Sequence, residues 1–392
     1  MTKHIQLLLV ILTLVSNHII GQTVEERLPA ELQNHFDSSN LPGFCVAMVD
    51  ENRVLYQKGF GYSNRQMQQA FTTKTVENLG STSKAILGMI LLKAIKKGKL
   101  SYDSEINAYL PFKVINPYFK DDPILIRHLA THTSSILDTK HYGKSHISLG
   151  GDSDSEALHE DYKNLINAHQ KLSLEDFLFK ILNDEGEWYK KKNFKKAPPG
   201  KPFEYANLNA ALAGLVIEKA TQSSLEVFSK NNVFEPIRMN STTWSFDVVD
   251  KTELATRYFP VGKVVPNYGL ITYPDGGLYS NVEDLSLFLQ ELIKAFKGTS
   301  TFLPKTYAKI LLPGDDENQR IFIGMGTKSR NIGHSGSDPG VQTDVQFNAD
   351  TLIGRVILCN VNAKDDENLE QQYREIHTIL GRYELVYTLE AN

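Results

Sequence analysis

Strand-forming segments lie at the two ends of this chain and helix-forming segments fill its middle. Residues 43–49 (Gly-Phe-Cys-Val-Ala-Met-Val) form an apolar run, Asp50-Glu51-Asn52 supplies turn chemistry, and Val54-Leu55-Tyr56 returns. That pattern predicts an early hairpin. Near the other end, 341–347 alternates and 353–361 is β-rich, ahead of a helical pattern over 369–380. Between them, apolar periodicity predicts helices over 85–97, 124–130, 174–182, 207–220 and 284–296. The simplest way to bury all of these faces is a single antiparallel sheet built from both termini, with a mainly helical lobe inserted between. The fold class is α/β in the α+β sense. One unit over 22–392 is expected, with 22–80 and 265–392 as the α/β lobe and 81–264 as the helical lobe.

Length and charge narrow the function. At 392 residues with 41% hydrophobic and 22% charged residues, the chain can bury a full core. Its net charge of -4 argues against nucleic acid as a partner, since phosphate binding needs a basic face. Cys45 and Cys359 are its two cysteines, too few for a disulfide scaffold or a Cys-rich metal module. The first residues carry Lys3, an apolar run over 5–15 and a small residue at Gly21. This predicts a signal peptide over 1–21 and a secreted or periplasmic protein. The run is too short to cross a bilayer, and no membrane span is expected in the mature chain. Residues 136–172 are polar, with Gly150-Gly151 and acidic residues after them, and read as an exposed loop or lid. The basic run 189–196 reads as a solvated face.

Chemistry concentrates in three places. Ser81-Thr82-Ser83-Lys84 is an S-x-x-K at the start of the 85–97 helix. Residues three apart share a helix face, so the Lys84 amine reaches the Ser81 hydroxyl. A desolvated lysine can take the serine proton and create a nucleophile. By itself the motif is common. Tyr205-Ala206-Asn207 follows the rigid Pro198-Pro199-Gly200 turn and opens a helix. Other Tyr-x-Asn triplets begin at Tyr62, Tyr162 and Tyr279, but only Tyr205 sits at a loop-to-helix corner aimed at a cleft. Gly333-His334-Ser335-Gly336-Ser337 begins the late strands with small residues, along which a substrate backbone can lie.

In this order, Ser81-Thr82-Ser83-Lys84, Tyr205-Ala206-Asn207 and His334-Ser335-Gly336 resemble the serine β-lactamase-like superfamily. The branch is that of class C β-lactamases, D,D-peptidases, D-aminopeptidases and esterases. Thr131-His132-Thr133-Ser134, Pro199-Gly200, Phe234-Glu235-Pro236 with Met239, and Pro274-Asp275-Gly276-Gly277-Leu278 look similar too, so the likeness spans roughly 40–380. It implies a β-lactamase/transpeptidase-like fold and a Ser81 acyl-enzyme, with Lys84 and Tyr205 sharing the proton work. Asn207 would position Lys84 and the substrate amide, and the Ser81 and Ser337 backbone N–H groups would hold the oxyanion. His334, Ser335 and Gly336 would line the substrate path. No cofactor or metal is implied, the partner is a small-molecule or peptide substrate, and the oligomeric state stays open. The resemblance also sets Cys45 and Cys359 on neighbouring strands, where free buried thiols are the expectation over a bridge.

Two departures shape the expected activity. Where class C β-lactamases carry a lysine, this chain has His334, which is mostly neutral at pH 7 with a transition near pH 6.5. Weaker carboxylate binding follows, and esters or D-amino-acid amides gain over β-lactams. Ser135 stands where the family has glycine, so a left-handed turn there is expected to be reshaped. The 136–200 segment would rebuild one pocket wall. Three other readings compete. His128 and His132 have a zinc-ligand spacing, but Leu129 replaces the glutamate of a zinc hydrolase. Gly333-His334-Ser335 begins a hydrolase elbow that Ser337 breaks. A non-turnover acyl-binding sensor would keep the same residues.

Overall fold

The computed structural model describes residues 23–149, 172–201, 203–311, 322–325 and 330–390. The expected signal peptide lies outside these residues, as does the 150–171 part of the polar segment.

The strands are β1 (Gly43–Val49), β2 (Val54–Asn64), β3 (Gln69–Ala70), β4 (Glu77–Asn78), β5 (His146–Ser148), β6 (Tyr268–Leu270), β7 (Tyr279–Ser280), β8 (Gly324–Met325), β9 (Asn331–Asp338), β10 (Val341–Asn348) and β11 (Gly354–Cys359). Seven of them form one sheet in the order β3-β2-β1-β11-β10-β9-β8. Every pairing in it is antiparallel. The amino-terminal hairpin and the carboxy-terminal strands meet at the β1–β11 pair, as the sequence pattern predicts. Both central strands are buried along their whole length, because each face of the sheet is covered.

The helices are α1 (Val24–Asp37), α2 (Ser83–Lys96), α3 (Ile126–Ala130), α4 (Leu174–Leu182), α5 (Asn207–Thr221), α6 (Leu225–Ser229), α7 (Val282–Lys297), α8 (Lys305–Leu311) and α9 (Glu367–Glu390). On one face of the sheet, Leu28 and Leu32 of α1 and Tyr373, Ile376 and Leu380 of α9 pack on Phe44, Val46 and Ile357. On the other, α2, α5 and α7 join Cys45, Ala47 and Leu358 in one continuous apolar cluster. Sheet and helical lobe therefore share a core. Helix α1 escapes the sequence reading, although the Thr23 N–H donating to the Glu26 carboxylate at 3.1 Å is a local start signal. Pro29 inside α1 obscures its period.

The two cysteines are free. In the β1–β11 register Cys45 faces Leu358 and Cys359 faces Phe44, one row apart. Side chains alternate across a sheet, so the thiols point to opposite faces and cannot bridge.

Candidate active site

Ser81 sits in a tight 3₁₀ turn, Gly80–Thr82, that feeds directly into α2. Gly80 takes φ +51, and a Cβ there would lie 3.2 Å from the Ser337 backbone nitrogen. A glycine is needed both for the left-handed conformation and for the strand that crosses it. One turn along, Lys84 is completely buried because α2 is apolar on nearly every side. Its Nζ reaches three oxygens: Ser81 Oγ at 3.0 Å, Asn207 Oδ1 at 2.8 Å and the Asp275 carbonyl at 2.5 Å. An amine is expensive to bury unless its hydrogen bonds are met, and here they are.

Tyr205 and Asn207 enter from the other side of the cleft. The turn before them is tied down by the Gly200 N–H donating to the Thr133 carbonyl at 2.7 Å and the Glu204 N–H to the His132 carbonyl at 2.8 Å. Tyr205 Oη donates to Ser81 Oγ at 3.1 Å, and its ring stacks on His132 at 4.6 Å. Lys84 Nζ lies 5.3 Å from the Tyr205 ring centre. Tyr205 is 40% exposed, so the cleft opens to solvent beside the serine.

Strand β9 forms the third wall. Gly336 is where it touches the nucleophile turn: a Cβ would lie 2.2 Å from the Leu79 carbonyl oxygen and 2.9 Å from the Thr82 nitrogen. Thr82 Oγ1 donates to the His334 carbonyl at 3.3 Å, and Thr343 Oγ1 to the Leu79 carbonyl at 2.8 Å. Ser335 is exposed, while His334 and Ser337 are half-buried. Strand β8 pairs only with Ile332 and Gly333. Among the described residues no strand pairs with the outer edge of 334–338.

Each site residue expected from sequence is therefore in one cleft: Ser81, Lys84, Tyr205 and Asn207 in direct contact, and His334, Ser335, Gly336 and Ser337 along its edge. Three further contributors escape the sequence reading. The Asp138 carboxylate accepts from the backbone N–H groups of Asn207 and Leu208, at 2.8 and 3.0 Å, and from the Asn207 side-chain amide at 3.0 Å. It caps α5 from a distant segment, because Ala206 at the cap position carries no acceptor. The Asp275 carbonyl holds Lys84, while its carboxyl accepts from Tyr142 Oη at 3.0 Å. Burial raises the Asp275 carboxyl to about 7 against the pull of Lys84. Asp138 and Tyr142 belong to the segment read as an exposed lid, and that reading is corrected for 136–149. Ile136, Ser145 and His146 are buried, His146 Nε2 meets Asp338 at 3.2 Å, and β5 pairs with β6. Polar composition misled there because polar groups of the segment are engaged with the rest of the protein, Asp138 on the start of α5, Tyr142 on the Asp275 carboxyl and His146 on Asp338, although Asp138 itself stays exposed.

Other expectations change as well. Ser135 keeps the left-handed turn at φ +69, and its Oγ accepts from Asn116 Nδ2 at 2.7 Å, so the serine does not reshape it. The two histidines with zinc-like spacing are engaged apart: His128 Nδ1 accepts from the Leu125 N–H, and His132 stacks on Tyr205. The pH 6.5 transition expected of His334 is displaced. Burial and the Lys84 ammonium push its imidazole down to about 4, with Nδ1 2.6 Å from the Ser335 carbonyl. His132 is pushed to about 3 for the same reasons.

The Beta-lactamase family model matches residues 22–378. The chain belongs to the beta-lactamase family. It is 21% identical to Protein flp of Staphylococcus aureus (strain MRSA252) over 347 residues, 87% of this chain and 64% of that protein. Penicillin-binding protein 4* of Bacillus subtilis (strain 168) is 24% identical over 76% of this chain and 63% of its own length. The chain thus spans just under two thirds of these relatives. Among solved structures, the octameric penicillin-binding protein homologue from Pyrococcus abyssi superposes with a TM-score of 0.67 at 24% identity, covering 86% of this chain and 74% of that one. The D-alanine carboxypeptidase AmpC from Burkholderia cenocepacia gives 0.60 at 18% identity, covering 91% and 97%. These structures share the mixed α/β fold with its antiparallel sheet.

Proposed function

We propose that this chain is a secreted serine hydrolase that forms an acyl-enzyme on Ser81 and acts on esters or on amides and peptides. One observation carries the reading: Ser81 Oγ lies 3.0 Å from Lys84 Nζ and 3.1 Å from Tyr205 Oη. Asn207 Oδ1 and the Asp275 carbonyl take two N–H bonds of the Lys84 amine. Once it has given up a proton, an amine so held can turn its lone pair on Ser81 Oγ and accept the serine proton. As Oγ bonds to the substrate carbonyl carbon, that proton passes through Lys84 and Tyr205 to the leaving oxygen or nitrogen, and the bond to it breaks. Water then attacks the acyl-enzyme, gives a proton back toward Ser81 and releases the acid. The backbone N–H groups of Ser81 and Ser337 are the proposed oxyanion donors, supported by the close packing of β9 on the Gly80 turn.

Relatives named penicillin-binding protein and D-alanine carboxypeptidase support an acyl-transfer site. A β-lactam or a free peptide carboxylate is disfavoured as substrate, because His334 is neutral at physiological pH. The experiment is intact-mass analysis after a fluorophosphonate, with p-nitrophenyl acetate, D-amino-acid amides and a chromogenic cephalosporin as turnover substrates. Ser81 should be labelled and Ser81→Ala should not. Labelling of Ser81→Ala, or labelling without turnover of any substrate, sinks the hydrolase reading; the second outcome points to a sensor.

A further inference from the structure

A cavity of about 230 Å³ opens beside Tyr205, between Phe203, Phe322, Ile323, His132 and His334. None of its lining residues is a lysine, arginine, aspartate or glutamate. Phe322 and Ile323 are buried at 3% and 1% exposure, and the Phe322 N–H donates to the Ala130 carbonyl at 2.8 Å, so this side of the cavity is anchored to the end of α3. Phe203 is different: it is 64% exposed and stands edge-on to His132 at 6.1 Å. A large aromatic left in water at the rim of a cavity is a surface that an apolar ligand covers favourably. Both imidazoles in the wall are held neutral by burial, and His132 Nε2 offers one unpaired buried position for a hydrogen bond. The cavity therefore presents mainly apolar area, a few neutral polar groups from Thr131, Tyr205, Ser335 and the two imidazoles, and no charged side chain.

Which part of a substrate it takes follows from Tyr205. The phenol that touches Ser81 Oγ also forms part of the cavity wall. A departing oxygen must come within about 3 Å of that phenol to receive its proton. The substituent on the departing oxygen then continues along the Tyr205 ring, toward Phe203 and Phe322. We propose that this cavity receives the leaving group of the substrate, and that the leaving group is an uncharged alkyl or aryl alcohol. This rests on the acyl-enzyme reading of Ser81. In the step concerned, the bond from Ser81 Oγ to the acyl carbon forms, the bond from acyl carbon to alcohol oxygen breaks, and the alcohol departs with the serine proton. At about 30 Å³ per water-sized group, the volume has room for roughly seven such groups, enough for a six-carbon phenyl ring or a four-carbon butyl chain.

Isomeric esters separate the two sides of the carbonyl. Butyl acetate and methyl pentanoate contain the same atoms, with the chain on the alcohol in one and on the acid in the other. Each methylene moved fully out of water is worth about fourfold. The kcat/KM for butyl acetate should exceed that for methyl acetate by at least about tenfold, while methyl pentanoate stays within about threefold of methyl acetate. An ester with a carboxylate at the end of the alcohol, 4-acetoxybutanoate, should lose the gain. Phe203→Ala, at an exposed position that folding tolerates, should lower the butyl-to-methyl ratio. An active enzyme with a flat alcohol series, a gain on the acid side instead, or an unchanged ratio in Phe203→Ala overturns the cavity assignment alone. Absence of turnover of every ester with D-amino-acid amides still cleaved overturns the alcohol leaving group alone; absence of turnover of esters and amides alike overturns the hydrolase reading and the assignment with it.

Discussion

Asp138 holds Asn207 twice, through its backbone N–H at 2.8 Å and its side-chain amide at 3.0 Å. The second contact decides which way the amide points. With Nδ2 turned to Asp138, Oδ1 is left facing Lys84 Nζ at 2.8 Å. Asp138 is thus a positioning residue for the amine that meets Ser81. Asp138→Ala should lower kcat by roughly ten- to a hundredfold with little change in KM, since misplacement of a reacting group acts on the chemical step. Loss of the α5 cap should also cost about 1 kcal/mol of stability. Asp138→Glu should restore the stability more than the rate. A stability loss with unchanged kcat in both variants would make Asp138 a cap only.

Lys84 fills all three of its hydrogen-bond positions inside the protein. Lys84→Arg keeps a cation there but cannot act as a base near neutral pH. Turnover of p-nitrophenyl acetate should fall by at least about a hundredfold, the size of an acid–base contribution. Circular dichroism and thermal melting would show whether the larger guanidinium is accommodated. A folded Lys84→Arg protein with near-native turnover would leave Lys84 with an electrostatic role only.

His334 provides a pH test whose sign can be worked out. Its imidazole is held at about 4, below the usual 6.5, by burial and by Lys84. Above pH 5 it stays neutral and gives a carboxylate no cation to meet. The ratio of kcat/KM for butyl acetate over 4-acetoxybutanoate should therefore be flat between pH 8 and pH 6, where the substrate's own carboxyl stays ionised. A rise in relative carboxylate turnover centred near pH 6.5 would show an imidazole that titrates normally. His334→Lys should improve turnover of 4-acetoxybutanoate at pH 8 by placing a permanent cation on β9.

Gly336 sets the distance between β9 and the nucleophile. In Gly336→Ala the new methyl would lie 2.2 Å from the Leu79 carbonyl oxygen and 2.5 Å from Thr343 Oγ1. Neither is the far end of a flexible chain, so the strand itself must shift. Overpacking of this kind costs about 1–3 kcal/mol. Moving Ser337 away from the Ser81 turn should cut kcat on the order of a hundredfold. Thermal melting and ester kinetics on the same sample measure the two effects.

Much of this protein is local, and local features are legible in the chain. Ser81 and Lys84 share a helix face because they are three residues apart, whatever surrounds them. The hairpin through Asp50, the stop of a helix at Gly98 and the Pro198-Pro199-Gly200 corner before Tyr205 follow from backbone preferences of nearby residues. Those are enough to predict an antiparallel sheet from both ends and a serine–lysine pair at the start of a helix. Packing decided the rest. Tyr205 meets Ser81 across 124 positions of sequence, and Asp138 caps a helix whose own cap residue is Ala206. The thiols of Cys45 and Cys359 are kept apart by one row of strand register. His334 is neutral at physiological pH because of burial and the Lys84 charge, neither of which its own sequence neighbours supply. Hydrogen-bond partners, strand register and desolvation depend on what the fold brings alongside a residue, so only the tertiary structure could assign them.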